Sequence, residues 1–485
     1  QAKFALTPET ARKRIERAKT EGFIQSLDGL TLKHKEQFLY LSDQRSASGF
    51  VQRLYQSLAG SSYEYPLLGV AARGGIIPSR LFSTFSGLPI DRAAERTGLT
   101  APEAMNHLCE WGLLLKQQTR SGVSLKLNDT LKETRVSDKR VTGRLMAEQL
   151  LLKAFKEWLR AQGMVSSESA TIRGQIVEEP PQFGFYQWDF SAPSYLSSMR
   201  NQRQGKLLPG FVVADTILGR RLSISDIKYF INKCTSIKGK PNSRPFVPFL
   251  IADWFEQDAY NLGRKHGFIF TTPKNLFGGI FHKGLDSLMQ ILENKADSEK
   301  RLDSVIALVS QFSHLKSVLA DIRSTIFQLL IGRVMTLLHG GALEYQVNFE
   351  EFGHSQIVDL VLKTESQLYV AQCKLSDDAD SAFQEWADNL DMTFTLVCAN
   401  GRYRKNLVEF TFWTTATVNR EMRERVVSAN ANRDYVASVK DKNVLDDLFE
   451  KFPQDRRHAW SRPSEYKTKD AEDLFSEIDA EFDNG

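Results

Sequence analysis

Two acids and an amine, Asp215, Asp226 and Lys228, fall within one stretch, GFVVADTILGRRLSISDIKYF, from Gly210 to Phe230. The stretch reads as two short strands joined by a tight basic turn. Phe211–Ile217 is apolar apart from Asp215, and Leu222–Phe230 alternates. Successive side chains on a strand point to opposite faces, so Asp226 and Lys228 would share one, and a hairpin would bring Asp215 beside them. Two carboxylates at a sheet edge can hold a hard divalent cation, Mg²⁺ or Mn²⁺, and the amine can position its bound water.

The elements around these residues extend the pattern. Phe246–Asp253 reads as a buried strand, and WFEQDAYNLGRKHGFIFTTP continues into a helix stopped at Gly267 and a final short strand. Upstream, GRLMAEQLLLKAFKEWLRAQG is a long amphipathic helix ending at Gly163, with Leu145, Leu151, Leu152, Phe155, Trp158 and Leu159 at helical spacing. Ala214-Asp215 followed by Asp226-Ile227-Lys228 resembles the PD-(D/E)xK nuclease superfamily, with Ala214 where proline is usual. The strand, helix and strand that follow resemble the back half of an Mrr-like restriction endonuclease core. That resemblance implies metal-dependent hydrolysis of DNA phosphodiester bonds leaving 5′-phosphate, with Asp215 and Asp226 as metal ligands. It also implies one further carboxylate from the preceding helix, Glu148 or alternatively Glu157.

A second copy of the organisation follows. A helix over Ser324–His339 ends at Gly340-Gly341. Strands then carry Asp359 and Gln372-Cys373-Lys374, Ala379–Leu390 is helical, and Thr393–Ala399 reads as a further buried strand. This resembles the Q-x-K variant of the same superfamily, with Asp359 as metal ligand and Gln372 and Lys374 beside it. Gln372 is neutral and the helix offers no Glu, so it attracts a cation less than two carboxylates would. The first copy is therefore expected to cut, and the second to be either active or a degenerate binding or dimerisation copy.

Before the first core, LPIDRAAERTGLTAPEAMNHLCEWGLLLKQQTRSGVSLKL reads as a short helix, a turn at Gly98, a helix from Ala101 to Glu110 capped by Thr100, and a ribbon turning near Arg120–Gly122. The order resembles a winged helix-turn-helix. Candidate DNA contacts are Asn106 and His107 on the helix and Lys116, Arg120 and Lys126 on the wing, with Glu103 also on the reading helix. Arg200, Arg203 and Lys206 precede the hairpin. Lys233, Lys238, Lys240 and Arg244 lie in a basic loop expected to meet phosphate. Thr7 and Pro8 suit the start of a basic N-terminal helix, and Leu302–Leu319 reads as a long helix.

Composition sets the frame. The chain has 485 residues, 42% hydrophobic and 25% charged, with a net charge of +4. That is ordinary for a soluble globular protein of about three domains. The expected fold class is multidomain α/β, with a winged-helix N-terminal region followed by two restriction-endonuclease-like α/β/α cores. The boundaries are a helical segment 1–60, a winged helix 61–130, nuclease-like cores at 140–285 and 300–420, and a helical, acidic tail at 421–485. In that tail Leu474, Phe475, Ile478 and Phe482 mark the apolar side of a short helix.

No apolar run long enough to span a membrane occurs and no signal-peptide pattern opens the sequence, so a cytoplasmic location without membrane contact is expected. The four cysteines have no C-x-x-C spacing, which argues against structural zinc. Without a Walker A motif, an ATPase or helicase would be a separate subunit, and homo-oligomerisation stays open. By resemblance the role is restriction or anti-phage defence. The alternatives are a non-catalytic DNA-binding scaffold subunit of a defence or mobile-element complex, and an RNA- or nucleotide-directed hydrolase on the same fold.

Overall fold

The computed structural model describes residues 7–445 except 28–29, 31, 33–35, 48, 92–97, 120–121, 132–137, 166–168, 175–178, 195, 197–198, 200, 204–205, 241–242, 294–315, 352, 376–378, 404–406 and 432. The chain is a mixed α/β protein with several sheets, divided into two compact units, Gln1–Leu276 and Phe277–Gly485. No helix among the described residues is long and apolar enough to cross a membrane.

The first unit opens with helix α1 (Pro8–Thr20), whose first turn is capped by the Thr7 hydroxyl accepting from the Thr10 amide. Helices α2 (Phe50–Ser57) and α3 (Glu64–Ala71) follow, then strand β1 (Ile76–Pro78), helix α4 (Ala101–Glu110) and the antiparallel ribbon of β2 (Leu114–Thr119) and β3 (Gly122–Leu127). Glu103 accepts from the Thr100 backbone at 3.0 Å and so closes a capping box that sets where α4 begins. The expected short helix preceding Gly98 lies at 92–97, outside the described residues. Leu54, Ile77, Phe82, Leu108, Trp111 and Leu125 form one core with Val141 and Leu145 from the next helix. The boundary expected near residues 130–140 therefore does not separate two domains, because apolar packing runs through it.

That helix, α5 (Asp138–Ala161), ends just before Gly163, whose φ of +65° lets the chain turn away. Beyond it lies a sheet of β4 (Thr171–Ile172), β5 (Phe190–Ser194), β6 (Gly210–Leu222), β7 (Phe246–Phe255) and β8 (Ile269–Thr271), in spatial order β8-β7-β6-β5-β4. The β4/β5 and β5/β6 pairs are antiparallel, and β6/β7 and β7/β8 are parallel. Helix α6 (Ile224–Lys238) and helix α7 (Gln257–Lys265) make the two parallel crossovers. The expected strand, helix and strand after Phe246 are all present.

The hairpin expected over Gly210–Phe230 is not. Strand β6 runs unbroken to Leu222, with a register shift against β7 between Ile217 and Arg221 and Gly219 at φ +85°. Leu222–Phe230, expected as a second strand, is mostly helix α6. Ile227, Phe230, Cys234 and Ile237 are buried at spacings of three and four, and Asp226 Oδ2 accepts from the Ser223 backbone (2.8 Å) and hydroxyl (2.7 Å), nucleating the first turn.

The second unit contains helix α8 (Lys316–His339), stopped at Gly340 and Gly341, both at positive φ. Strands β9 (Ala342–Glu351), β10 (His354–Lys363) and β11 (Gln367–Lys374) come next. Helices α9 (Ala379–Asp388) and α10 (Leu390–Ala399), strand β12 (Leu407–Thr414), helix α11 (Arg420–Ala429) and strand β13 (Tyr435–Lys440) follow, and the helix Gly279–Leu292 also belongs to this unit. Its sheet order is β9-β10-β11-β12-β13, again two antiparallel pairings followed by two parallel ones. Each unit thus places a helix, three antiparallel strands, a helical crossover and a parallel strand in the same order.

Thr393–Ala399, expected as a strand, is helix. A short apolar run has no period that separates the two, and here one face alone is buried, through Leu390, Thr393, Leu396 and Val397. The parallel strand comes later, and β13 was not expected in a polar region. Residues 302–315 of the expected long helix and the acidic stretch from 446 onward lie outside the described residues.

Gly69 shows how closely α3 is held in the first unit. A Cβ there would lie 1.8 Å from the Phe85 carbonyl oxygen and 3.5 Å from the Tyr229 ring on α6. Gly69→Ala is expected to destabilise this unit by about 1–3 kcal/mol, the usual cost of overpacking. Thermal unfolding followed by circular dichroism checks this, and an unchanged midpoint would refute the packing.

Candidate functional site

The two sheets present chemistry at matched positions. In the first, Ala214 faces Phe190 across the β5/β6 pair, so one step further along Asp215 faces Asp189, whose backbone amide donates to Asp215 Oδ1 at 3.3 Å. In the second, Leu360 faces Ala371 across β10/β11, and one step along Asp359 faces Gln372. The amide of the next residue, Cys373, donates to Asp359 Oδ2 at 2.8 Å. Helices α5 and α8 supply a third group to each place, Glu148 and Gln328.

The first place is a closed ion network. Glu148, Asp189, Asp215 and Lys233 have no exposed surface at all. Lys233 Nζ, from α6, lies 2.8 Å from Asp215 Oδ2 and 3.0 Å from Oδ1, with the Trp188 ring 3.7 Å away on centroid. Arg173 bridges the other two acids. Its Nη2 donates to Glu148 Oε2, and its Nε sits 2.6 Å from Asp189 Oδ1, a charge contact without hydrogen-bond alignment. Asp189 Oδ2 accepts from the Thr216 amide (2.7 Å) and hydroxyl (3.0 Å). Arg144 pairs with Glu148 from the next turn of α5 and donates to the Arg73 carbonyl. Arg73 itself lies over the Phe85 ring and donates to Tyr229 Oη at 3.0 Å.

Burial raises the Asp215 carboxyl, against the pull of Lys233, and lowers the Lys233 ammonium, against the pull of Asp215. Burial likewise pushes Arg144 down to about 10. Four cationic side chains face three carboxylates here, so a divalent cation would enter a place already neutralised and be repelled.

Asp226 and Lys228 do not join this group, so the expected site, with Asp215 and Asp226 on a metal and Lys228 beside its water, is not assembled. Asp226 is turned to the start of α6, capping Ser223 and pairing with Arg220 at 3.0 Å. Lys228 pairs with Glu64 of α3 at 2.9 Å. Residues two apart share a face on a strand but point 200° apart on a helix, so the helical assignment alone separates them. Glu148 does reach the strand carrying Asp215, accepting from the Leu218 amide at 3.2 Å, whereas Glu157 pairs with Arg160.

Asp189 and Arg173 were not singled out from sequence, and Lys233 was assigned to a phosphate-facing loop. Its position three residues after Phe230 and four before Ile237 puts it on the buried stripe of α6, the one signal that marked it as an internal cation.

The second place is less crowded with charge. Asp359, 5% exposed, accepts at Oδ1 from the amides of Gln328 and Gln346, each at 3.0 Å, and at Oδ2 from Cys373. Burial raises its carboxyl, and the Lys374 charge opposes that rise. Gln372 and Lys374, two apart on a true strand, share a face, and both are half-buried. A carboxylate offers about four lone-pair directions, and three hydrogen bonds to Asp359 are made by Gln328, Gln346 and Cys373. One carboxylate and one amide oxygen make at most a lean set for a hard cation, and no cluster of three or more His, Cys, Asp or Glu suited to a metal occurs among the described residues.

Of the expected DNA contacts, Asn106 and Lys116 are exposed, while Lys126 pairs with Asp129. His107 is occupied: Nδ1 lies 2.7 Å from Tyr63 Oη and its ring stacks on Trp111, so it serves packing rather than base reading. Arg120 and Arg200 lie outside the described residues. Arg203 falls on the short strand Asn201–Arg203, with its side chain outside the description.

No family model matches the chain, and no curated protein does. Among solved structures, Can2 from Sulfobacillus thermosulfidooxidans in complex with cyclic tetra-adenylate matches 49% of this chain and 92% of that one at 10% identity. The TM-score of 0.20 is too low for that likeness to carry an argument.

The network makes a sharp contrast between two lysines of α6. Lys233→Met leaves Asp215 buried without its cation and is expected to cost about 3–5 kcal/mol. Lys228→Ala removes only a partly exposed pair and is expected to cost at most about 1 kcal/mol. Urea denaturation of the two variants measures the difference, and equal costs would refute the network.

Proposed function

We propose that this chain is a DNA-directed protein carrying two PD-(D/E)xK-like cores, the second a Mg²⁺- or Mn²⁺-dependent nuclease centre and the first a catalytically silent copy. The observation that carries the reading is the pair of matched cross-strand positions. Asp189 and Asp215 are sealed by Arg173 and Lys233, whereas Asp359 and Gln372 meet no buried cation among the described residues, and Lys374 stands on the same strand face as Gln372. The shared order of a helix, three antiparallel strands, a crossover and a parallel strand supports treating the two as copies of one design.

In the second core, Asp359 and Gln372 are the residues that would hold the cation. A bound Mg²⁺ or Mn²⁺ would supply Lewis-acid polarisation of a phosphate and a more acidic water. Gln328 and Gln346 fix the Asp359 carboxylate by donating to one oxygen, leaving the other to Cys373 and a ligand. Lys374 offers a positive charge to the phosphate or its attacking oxygen. Helix α4 and the β2–β3 ribbon, with Asn106 and Lys116 exposed, support a winged-helix role in DNA contact. Restriction or anti-phage defence, with any ATP-driven motor on a separate subunit, is the setting this reading fits.

A non-catalytic scaffold is the second reading. It is favoured by the three hydrogen bonds already made to Asp359 and by the neutral amides of Gln328 and Gln372 where carboxylates would bind metal more tightly.

Cleavage of plasmid and oligonucleotide DNA with Mg²⁺ or Mn²⁺ decides between the two. Asp359→Ala and Lys374→Ala are expected to lower cutting at least about 100-fold, the scale on which loss of a charge-stabilising group acts. Asp226→Ala is expected to leave cutting unchanged wherever the variant folds. Metal-dependent cutting that survives Asp359→Ala would refute the assignment, and DNA binding with no cutting by the wild type would favour the scaffold.

A further inference from the structure

Between Asp226 and Asp253 the sequence contains no Asp or Glu but has Lys228, Lys233, Lys238, Lys240 and Arg244. None occurs between Asp258 and Asp286 either, where Arg264 and Lys265 stand. Lys228 and Lys233 are accounted for by Glu64 and Asp215. The others gather where α6 and α7 both end. Lys238 Nζ donates to the His266 carbonyl at 3.1 Å and so ties the two helix ends together.

The cations there are held in place by aromatic rings. Lys238 lies 4.6 Å from the Phe268 centroid, Lys240 3.7 Å from that of Phe185, and Arg244 5.6 Å from that of Phe211. Phe268, Phe185 and Phe211 all pack in or against one apolar cluster, in which Phe183 lies on both Phe211 (4.6 Å) and Phe246 (5.3 Å). Cations in the last turns of α6 and α7 complement the helix dipoles. That does not account for Lys240 and Arg244, which lie past the end of α6. No carboxylate pairs with Lys238, Arg244, Arg264 or Lys265 among the described residues. Rings hold Lys238 and Arg244 without neutralising them, so these two are positioned before a ligand arrives.

We propose that this face, made by the C-terminal ends of α6 and α7 with Lys240 and Arg244, binds the phosphate backbone of double-stranded DNA. The inference rests on the DNA-directed reading above and assigns the phosphate contacts to residues of the first unit. Its contacts are to backbone phosphate, so it positions DNA without reading sequence.

The test is fluorescence anisotropy of the full chain with a labelled duplex of about 20 base pairs, in EDTA so that cutting plays no part, across a KCl series. The triple variant Lys238→Gln, Lys240→Gln, Arg244→Gln is expected to bind more weakly on every duplex and to lower the slope of log affinity against log salt by about 2–3. Arg264→Gln with Lys265→Gln, which leaves the apolar cluster intact, is expected to lower it by about 1–2, and circular dichroism checks the fold of each. Binding with an unchanged slope in both variants would overturn the inference and leave the nuclease reading standing. No duplex binding by the wild type at any salt would overturn the DNA-directed reading itself. Loss of binding to phosphatidylserine vesicles with duplex binding intact would overturn the inference in favour of a membrane surface.

Discussion

Three carboxylates buried where helix α5 meets the sheet impose the constraint on which the first unit depends. Ionised carboxylates out of water cost several kcal/mol each unless cations and hydrogen-bond donors meet them. Every layer of the unit supplies one part of the answer. Arg73 follows α3, Arg144 stands on α5 with Glu148, Arg173 follows β4, and Lys233 reaches in from α6. Moving β6 by one residue would carry Asp215 to the opposite face and leave Lys233 without a partner. The network therefore fixes strand register, the rotation of α6 and the docking of the N-terminal helices together. It also joins the helical N-terminal region to the sheet, where sequence composition suggested a boundary.

The second unit meets the same constraint by a different route. Its sheet has the same order and directions, yet the helix contributes Gln328 where α5 contributes Glu148, and Gln372 faces Asp359 where Asp215 faces Asp189. One core keeps its acids and fills the centre with internal cations; the other replaces acids by amides and keeps one. Lys374, two residues past Gln372, corresponds to Ile217, two residues past Asp215, so the strand lysine of the second core is apolar in the first. The first core's cation comes from a helix instead and is committed to an ion pair. Its acids are thus all met by internal cations, while the remaining acid of the second core is met by amide donors.

What sequence made legible follows the strength of local signals. Long periodic helices ended by glycine, α5 and α8, stand where their spacing put them, and so do α1 and α4, whose Thr caps are explicit. The second core's strands carrying Asp359 and Gln372–Lys374 were also readable, because short runs rich in β-branched and apolar residues are broken there by single polar ones. The first core's motif failed at one ambiguity. Leu222–Phe230 satisfies both a strand period and a helix period, and the Ser223–Asp226 cap settles it as helix. That single change moved Lys228 off the site and brought Lys233 into it. Asp189 was hidden because its role arises only from strand pairing, with a partner 26 residues further along the chain. The apolar run Thr393–Ala399 was undecidable by period for the same reason.

The central claim is that the first core is closed to divalent cations by its own arginine and lysine and the second is open. Anomalous diffraction from crystals of the full chain soaked in Mn²⁺ tests it most directly. A manganese peak beside Asp359 and Gln372, with none among Glu148, Asp189 and Asp215, is the predicted result. A peak among those three acids, with Arg173 or Lys233 displaced, would contradict it.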